Sequence, residues 1–226
     1  MPNIANLLIC LQQADSFFPS GAMAFSWGLE SLVKDNIVTD IDSFQDFLEA
    51  QILYRWSSFD RGIISIAFKA GNSMEQLASI NSFVEAMASP PLLQEGSRRL
   101  GRALVEVYVK LGLEAAKQIQ LHLARSSSFI HLAVVQGYLW PSLGMDESEC
   151  HAVSAHTAYT SIVSAAVRLG VIGHLDAQRC LSRMRYLLEK VLLSPVPNLN
   201  DLSCSTLMVD IATLRPYEQG SRFFAN

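Results

Sequence analysis

An all-α bundle of roughly eight to ten helices is the fold class that this sequence predicts. Three observations predict it. Apolar residues recur in steps of three and four over long stretches, Pro and Gly punctuate those stretches at helix-like intervals, and no segment sustains the period-two alternation of a half-buried strand. Each amphipathic stripe needs another helix to cover it, so the stripes imply a bundle organised as one domain over residues 1–226.

In chain order, Phe17 to Glu30 reads as a turn that feeds a helix N-terminus, because Pro19-Ser20-Gly21 breaks the chain among aromatics. Pro19 and Gly21 would set that turn, Phe17, Phe18, Met23 and Phe25 would plug a core, and Gly28 would permit a close helix crossing. Ile41, Phe44, Leu48, Ile52, Trp56, Phe59, Ile63 and Ile66 then line one face of a long helix. Thr39 with Asp42 reads as its capping-box start and Gly71-Asn72 as its stop. Ser73 with Gln76 opens the next helix, which ends before Pro90-Pro91, and another runs through Leu92, Leu100, Leu104, Val107 and Leu111 to Gly112. Further helices are expected at Glu114 to Arg125, Ser128 to Leu139, Asp146 to Leu169 and Leu175 to Leu193. From Asn198 onward, Pro216 and sparse apolar residues leave a short helix over Asp201 to Thr213 and then a mobile tail, so residues 198–226 form a distinct end.

Composition narrows the function classes. Half of the 226 residues are apolar and 17% are charged, which excludes a disordered chain. The formal charge of −4 has the wrong sign for a nucleic-acid footprint. The first basic residue is Lys34, and the apolar run Leu7 to Leu11 is short and lacks a basic lead, so a cytoplasmic location is expected. Cys10, Cys150, Cys180 and Cys204 are scattered, as reduced and mostly buried thiols would be. Ser126 to Val167 carries only Asp146, Glu147 and Glu149 as charges, but its Gly, Ala, Ser and Thr content marks close helix packing or a self-association face and not a membrane hairpin.

Catalytic constellations are missing from the pattern. His151 and His156 are five apart and diverge on a helix, and His122, His131 and His174 are isolated, so no metal site is expected. GxSxG, P-loop and GxGxxG patterns do not occur. Asp40-Ile41-Asp42 and Asp146-Glu147 sit at expected helix starts, where carboxylates favour the helix dipole. An all-α enzyme or small-molecule binder with an internal pocket, and a bare metal carrier using His and Cys residues, remain as alternatives.

Three motifs carry a family resemblance. Pro19, Gly21, Ala22, Ser26, Gly28, Leu29 and Glu30 match the pattern P-x-G-A/S-F-x-x-S-x-G-L-E, followed by Val38-Thr39-Asp40. Arg168-Leu169-Gly170-Val171-Ile172-Gly173-His174-Leu175-Asp176-Ala177-Gln178-Arg179 is similar to R-L-x-P-L-G-Q-x-D-x-Q-R. Asp210-Ile211-Ala212-Thr213-Leu214-Arg215, with Ser221-Arg222-Phe223-Phe224, resembles D-I/L-A-S-x-R and a closing S-R-L-F. Occurring in this order across the chain, they resemble the UreF family of urease accessory proteins. Met23 stands for the usual Phe, His174 for the usual Gln, and Pro216-Tyr217 where a His often precedes Glu218, which weakens any metal role for the tail.

The resemblance implies a non-catalytic helical adaptor or chaperone. It would complex with UreD, also called UreH, and with the GTPase UreG, to support GTP-dependent nickel insertion into apo-urease, regulating the GTPase and itself forming a homodimer. No cofactor would belong to this chain, since nickel and GTP are handled by the complex. Neither nucleic acid nor membrane is an expected partner. The motif residues Pro19, Gly21, Ser26, Gly28, Glu30, Arg168, Asp176 and Gln178 become partner-binding candidates, with Arg215, Tyr217 and Arg222 as anchors of a tail that orders on the UreD-type protein. For Glu30, Arg168, Asp176 and Gln178, internal hydrogen-bonded pairing is the competing role.

Overall fold

The computed structural model of the chain describes residues 3–21, 25–87, 90–126 and 129–214. Among these the architecture is all-α, with no strand. The helices are α1 (Ile4–Ala14), α2 (Leu29–Lys34), α3 (Ile41–Gln51), α4 (Arg61–Lys69), α5 (Met74–Ala86), α6 (Pro91–Lys110), α7 (Glu114–Ser126), α8 (Leu132–Leu139), α9 (Glu147–Arg168), α10 (His174–Leu193) and α11 (Leu207–Leu214). No helix among the described residues is long and apolar enough to cross a membrane.

The helix starts follow the side chains able to satisfy free N–H groups. Ser73 Oγ accepts the Gln76 amide at 3.2 Å, as its spacing predicts. Asp146 and Glu149 form a reciprocal capping box at the head of α9, each accepting the other's backbone N–H at 2.8 Å. At α3 the expected Thr39/Asp42 box is shifted by one residue. Asp40 caps, accepting the Ser43 amide at 2.9 Å while Ser43 Oγ accepts the Asp40 amide at 3.1 Å, because the shorter Ser side chain reaches back where Asp42 points outward.

The predicted long helix is a single rod, but not uniformly α. Between α3 and α4 the segment Ile52–Asp60 winds as a π-helix, a rare winding that recurs at functional positions. The rod joins two cores. Phe44, Leu48, Ile52 and Trp56 belong to one buried cluster with α9 and α10 residues, whereas Phe59, Ile63, Ile64 and Ala67 belong to a second with α6 and α8 residues. Arg61, at the head of α4, binds the far end of α10: Nη1 donates to the Val191 carbonyl at 2.7 Å and Nη2 to Leu192 and Ser194 carbonyls at 3.0 and 2.9 Å. A cation at carbonyls left free by a helix C-terminus is favoured by both hydrogen bonding and the helix dipole.

Several expectations are corrected. α1 was not foreseen, since its apolar run has no charged face to set a period; Asn3 starts it by accepting the Ala5 amide at 3.0 Å. The helix expected from Ser128 begins at Leu132. The one expected over 201–213 is a 3-10 turn at Leu199–Asp201, an extended strap, and then α11. Phe17 does not plug the core but is 93% exposed. Cys150 and Cys180 are buried while Cys10 and Cys204 are half-buried, and all four are free thiols.

The low charge of Ser126 to Val167 goes with extensive burial within the chain. Every residue from Ala133 to Leu139 in α8 is buried, and α9 is buried along much of its length. Gly137 makes this possible, because a Cβ there would collide with the Ile64 carbonyl and sit 2.8 Å from Ala67 Cβ. Gly137→Ala is therefore expected to lower unfolding free energy by about 2–4 kcal/mol, read as a shifted urea midpoint with an unchanged slope.

Candidate partner-binding site

The first motif is divided by the fold. Pro19 and Gly21 are exposed, whereas Ser26, Gly28 and Glu30 are buried. Trp27 and Gly28 both take left-handed backbone angles, φ 54° and 83°, and turn the chain into α2. A Gly is required at the second position for a steric reason as well: a Cβ on Gly28 would lie 2.5 Å from Val209 Cγ1 and 3.3 Å from Thr213 Cγ2. The third motif, on α11, thus packs directly on the first. Glu30 is only 3% exposed and pairs with Lys34 at 3.2 Å.

Trp27 turns inward, donating Nε1–H to Ser161 Oγ at 3.2 Å and standing edge-on to Phe25 at 5.3 Å. Beside it lies Arg55 from the π segment, 6.0 Å from the Trp27 ring and 5.6 Å from that of Phe59. Arg55 donates to Asp60 at 3.4 Å and to Cys204 Sγ at 2.9 Å. Burial opposes the Arg55 charge, but Asp60, Cys204 and Asp210 outweigh it and hold the guanidinium protonated. Burial conversely pushes the Asp60 carboxyl up, against the pull of Arg55.

The strap is tied to the same segment. Ser203 N–H donates to the Ser58 carbonyl at 3.1 Å and Ser205 N–H to the Tyr54 carbonyl at 3.4 Å, while Ser58 Oγ donates to the Ser203 carbonyl at 2.8 Å.

The second motif lies at the α9–α10 junction. Arg168 is exposed in the last turn of α9, where a cation complements the helix C-terminus. Asp176 pairs with Arg179 at 2.7 Å in the first turn of α10, and Gln178 is exposed. Its apolar members Ile172 and Ala177 share a core cluster with Leu29, Val209 and Ala212. The structure therefore joins all three motifs through their apolar residues, while Arg168, Asp176 and Gln178 remain toward solvent. Arg215, Tyr217 and Arg222 lie outside the described residues.

A polar cluster that the sequence reading missed pins the start of α8. Glu85 pairs with Arg98 and receives His131 Nε2 at 2.8 Å, while His131 Nδ1 lies 3.2 Å from Ser97 Oγ. Arg98 stacks 4.1 Å from the Phe129 ring centre. These residues are far apart in sequence and have no shared periodicity, so no local signal points to them. Burial lowers the His131 pKa, and hydrogen bonds from Arg98 and His131 overcome burial to lower that of Glu85.

Among the described residues no group of three or more His, Cys, Asp or Glu could hold a metal ion. His156 lies 2.8 Å from the Tyr159 hydroxyl. His151 is buried, and burial with the nearby Arg61 charge pushes its pKa down to about 4, an environment that disfavours a cation.

Two outcomes follow from this geometry. Gly28→Ala is expected to destabilise the chain by about 2–4 kcal/mol from strain and overlap, and adding Val209→Ala should recover part of that loss in urea unfolding. His151, neutral when folded and with a pKa of about 4 against 6.5 for the free side chain, contributes stability that is complete above pH 6.5 and drains as pH falls toward 4. The urea midpoint should therefore drop between pH 7 and pH 5, and the drop should shrink in His151→Gln.

The UreF family model matches residues 38–185. The urease accessory protein UreF of Trichodesmium erythraeum is 27% identical over 99% of this chain and 98% of its own length. That of Photorhabdus laumondii is 33% identical over 79% of each chain, and that of a Nostoc species 25% identical over 97% of this chain and 95% of its own. Since the model match takes in the rod, much of both cores and the α9–α10 junction, and two of these relatives align nearly end to end, this chain belongs to the UreF family of urease accessory proteins.

Proposed function

We propose that the chain is a non-catalytic helical adaptor, a chaperone of urease maturation that acts in the cytoplasm. It joins a UreD-type (UreH-type) accessory protein to a UreG-type GTPase, so that GTP-dependent nickel insertion into apo-urease proceeds on the complex. Nickel and GTP are cargo and fuel of that complex, and the chain acts by shape, regulating the GTPase through the surfaces it presents. A homodimer is the expected form of the adaptor.

The observation that supports this reading is the apolar surface left on the helices. Ile4, Leu7, Leu8 and Leu11 of α1 are all exposed, as are Leu175, Tyr186 and Leu193 of α10 and Leu207, Met208, Ile211 and Leu214 of α11. Apolar side chains clustered on outer helices mark protein-binding surfaces, and membership of an accessory-protein family gives those surfaces partners. Arg168, Asp176 and Gln178, being solvent-facing, are the motif residues placed to meet one directly.

Co-expression with the cognate UreD-type and UreG-type proteins tests the reading. The expected result is a co-purifying complex, with GTP turnover found in the UreG-type subunit and none in this chain alone. Absence of a complex at micromolar concentrations, or GTP hydrolysis by the isolated chain, would overturn it.

A further inference from the structure

Two small polar cavities lie side by side where the rod, α8 and α9 meet. The larger, about 30 Å3, is walled in part by Arg55 and Asp60 of the π segment, Gln136 of α8, and Ser154, Thr157 and Ser161 of α9. The smaller, about 20 Å3, shares Gln136 and Thr157 with it and reaches Gln13 of α1. Gln136 and Gln13 are each only 6% exposed.

The polar groups of the walls divide into satisfied and unsatisfied ones. Ser154 Oγ donates to Gln136 Oε1 at 3.1 Å and accepts the Trp56 indole N–H at 3.1 Å. Ser161 Oγ donates to the Ala158 carbonyl at 2.7 Å and accepts the Trp27 indole N–H at 3.2 Å. Gln13 Oε1 accepts the Tyr108 hydroxyl. The Nε2 groups of Gln136 and Gln13, by contrast, donate to no protein group among the described residues, and neither is sealed off from water-sized space. Asp60 receives one bond, from Arg55 at 3.4 Å. Leaving buried donors and a carboxylate in this state costs more than immobilising a water does.

Size and charge select the occupant. A water needs about 10–15 Å3, so the larger cavity has room for about two and the smaller for about one. Arg55 and Asp60 put one charge of each sign on the larger wall, so an ion of either sign meets a like charge beside its counter-charge. A small neutral molecule that both accepts and donates meets no such repulsion.

We propose that ordered waters occupy both cavities. In the larger, water accepts from Gln136 Nε2 and donates to the Asp60 carboxylate. In the smaller, it accepts from the Nε2 groups of Gln13 and Gln136 and donates to Thr157 Oγ1. These waters are part of the folded protein, joining α1, α8, α9 and the rod through groups that make no direct bond to one another. The inference goes beyond the adaptor reading and does not depend on it.

The test uses the isolated full chain. In wild type, NOEs from water should reach the side-chain NH2 protons of Gln136 and Gln13 with the sign that marks bound water. Absence of both overturns the proposal. Ala158→Val adds apolar bulk to the wall of the larger cavity. It should lower the 17O relaxation dispersion amplitude by about two long-lived waters, keep the NOE at Gln13, and drop the thermal midpoint by about 4–8 °C as Asp60 and Gln136 lose their partners. A raised midpoint means that the methyl groups filled dry space, and an unchanged amplitude means that no water was displaced; either result overturns the proposal. Xenon decides the matter if the variant fails to fold, because a dry apolar cavity takes it up. Xenon-induced shifts at the Ala133 and Ala158 amides of wild type overturn the proposal, and their absence upholds it.

Discussion

The rod from Ile41 to Lys69 is the constraint on which the rest of the structure depends. Its first half is built into one core and its second half into the other, and the change of winding at Ile52–Asp60 lies at the crossing between them. That same segment faces inward with Trp56 and Phe59 and outward with the Tyr54 and Ser58 carbonyls that receive the strap. One local irregularity therefore sets the relation of two cores and the docking of the chain's final described helix. A uniform α-helix would keep one apolar stripe in phase along its whole length and would commit more of its carbonyls to its own ladder.

Charges placed inside the bundle hold elements that apolar packing alone would leave free to slide. Arg61 gathers the terminal carbonyls of α10, Arg55 ties the π segment to Cys204, and Glu85 gathers Arg98 and His131 at the head of α8. Each has several partners, which is the condition under which a buried charge is tolerated. Directional bonds of this kind fix register, whereas burial of Leu or Ile only rewards contact. The first and third motifs serve the same end by a different route: Gly28 has no side chain, so that Val209 and Thr213 can come close.

Helix boundaries set by caps were legible in the sequence because a cap is a local event. Ser73, Asp146 and the Gly residues after α4, α6 and α9 announce themselves by residue type and spacing. What was not legible is long-range. α1 has no polar stripe to reveal its period, and the strap has neither period nor cap, since its bonds go to residues about one hundred and fifty positions earlier, as Ser203 does to Ser58. The low-charge stretch around α8 shows the ambiguity from the other side. Composition says only that such a segment is hidden, and Gly137 against Ile64 shows that what hides it is this chain. For the candidate site, the motifs were visible as strings, but which of their residues are buried was not.

The bonds from Ser203 and Ser205 to Ser58 and Tyr54 also impose an order on biosynthesis. A ribosome releases the rod before the strap, so the carbonyls of the π segment stay uncovered until the strap, 145 positions after Ser58, has also been made. Long loop closure makes such late pairing slow relative to the local helices. The nascent protein thus passes through a state in which its central helix is made but not yet latched.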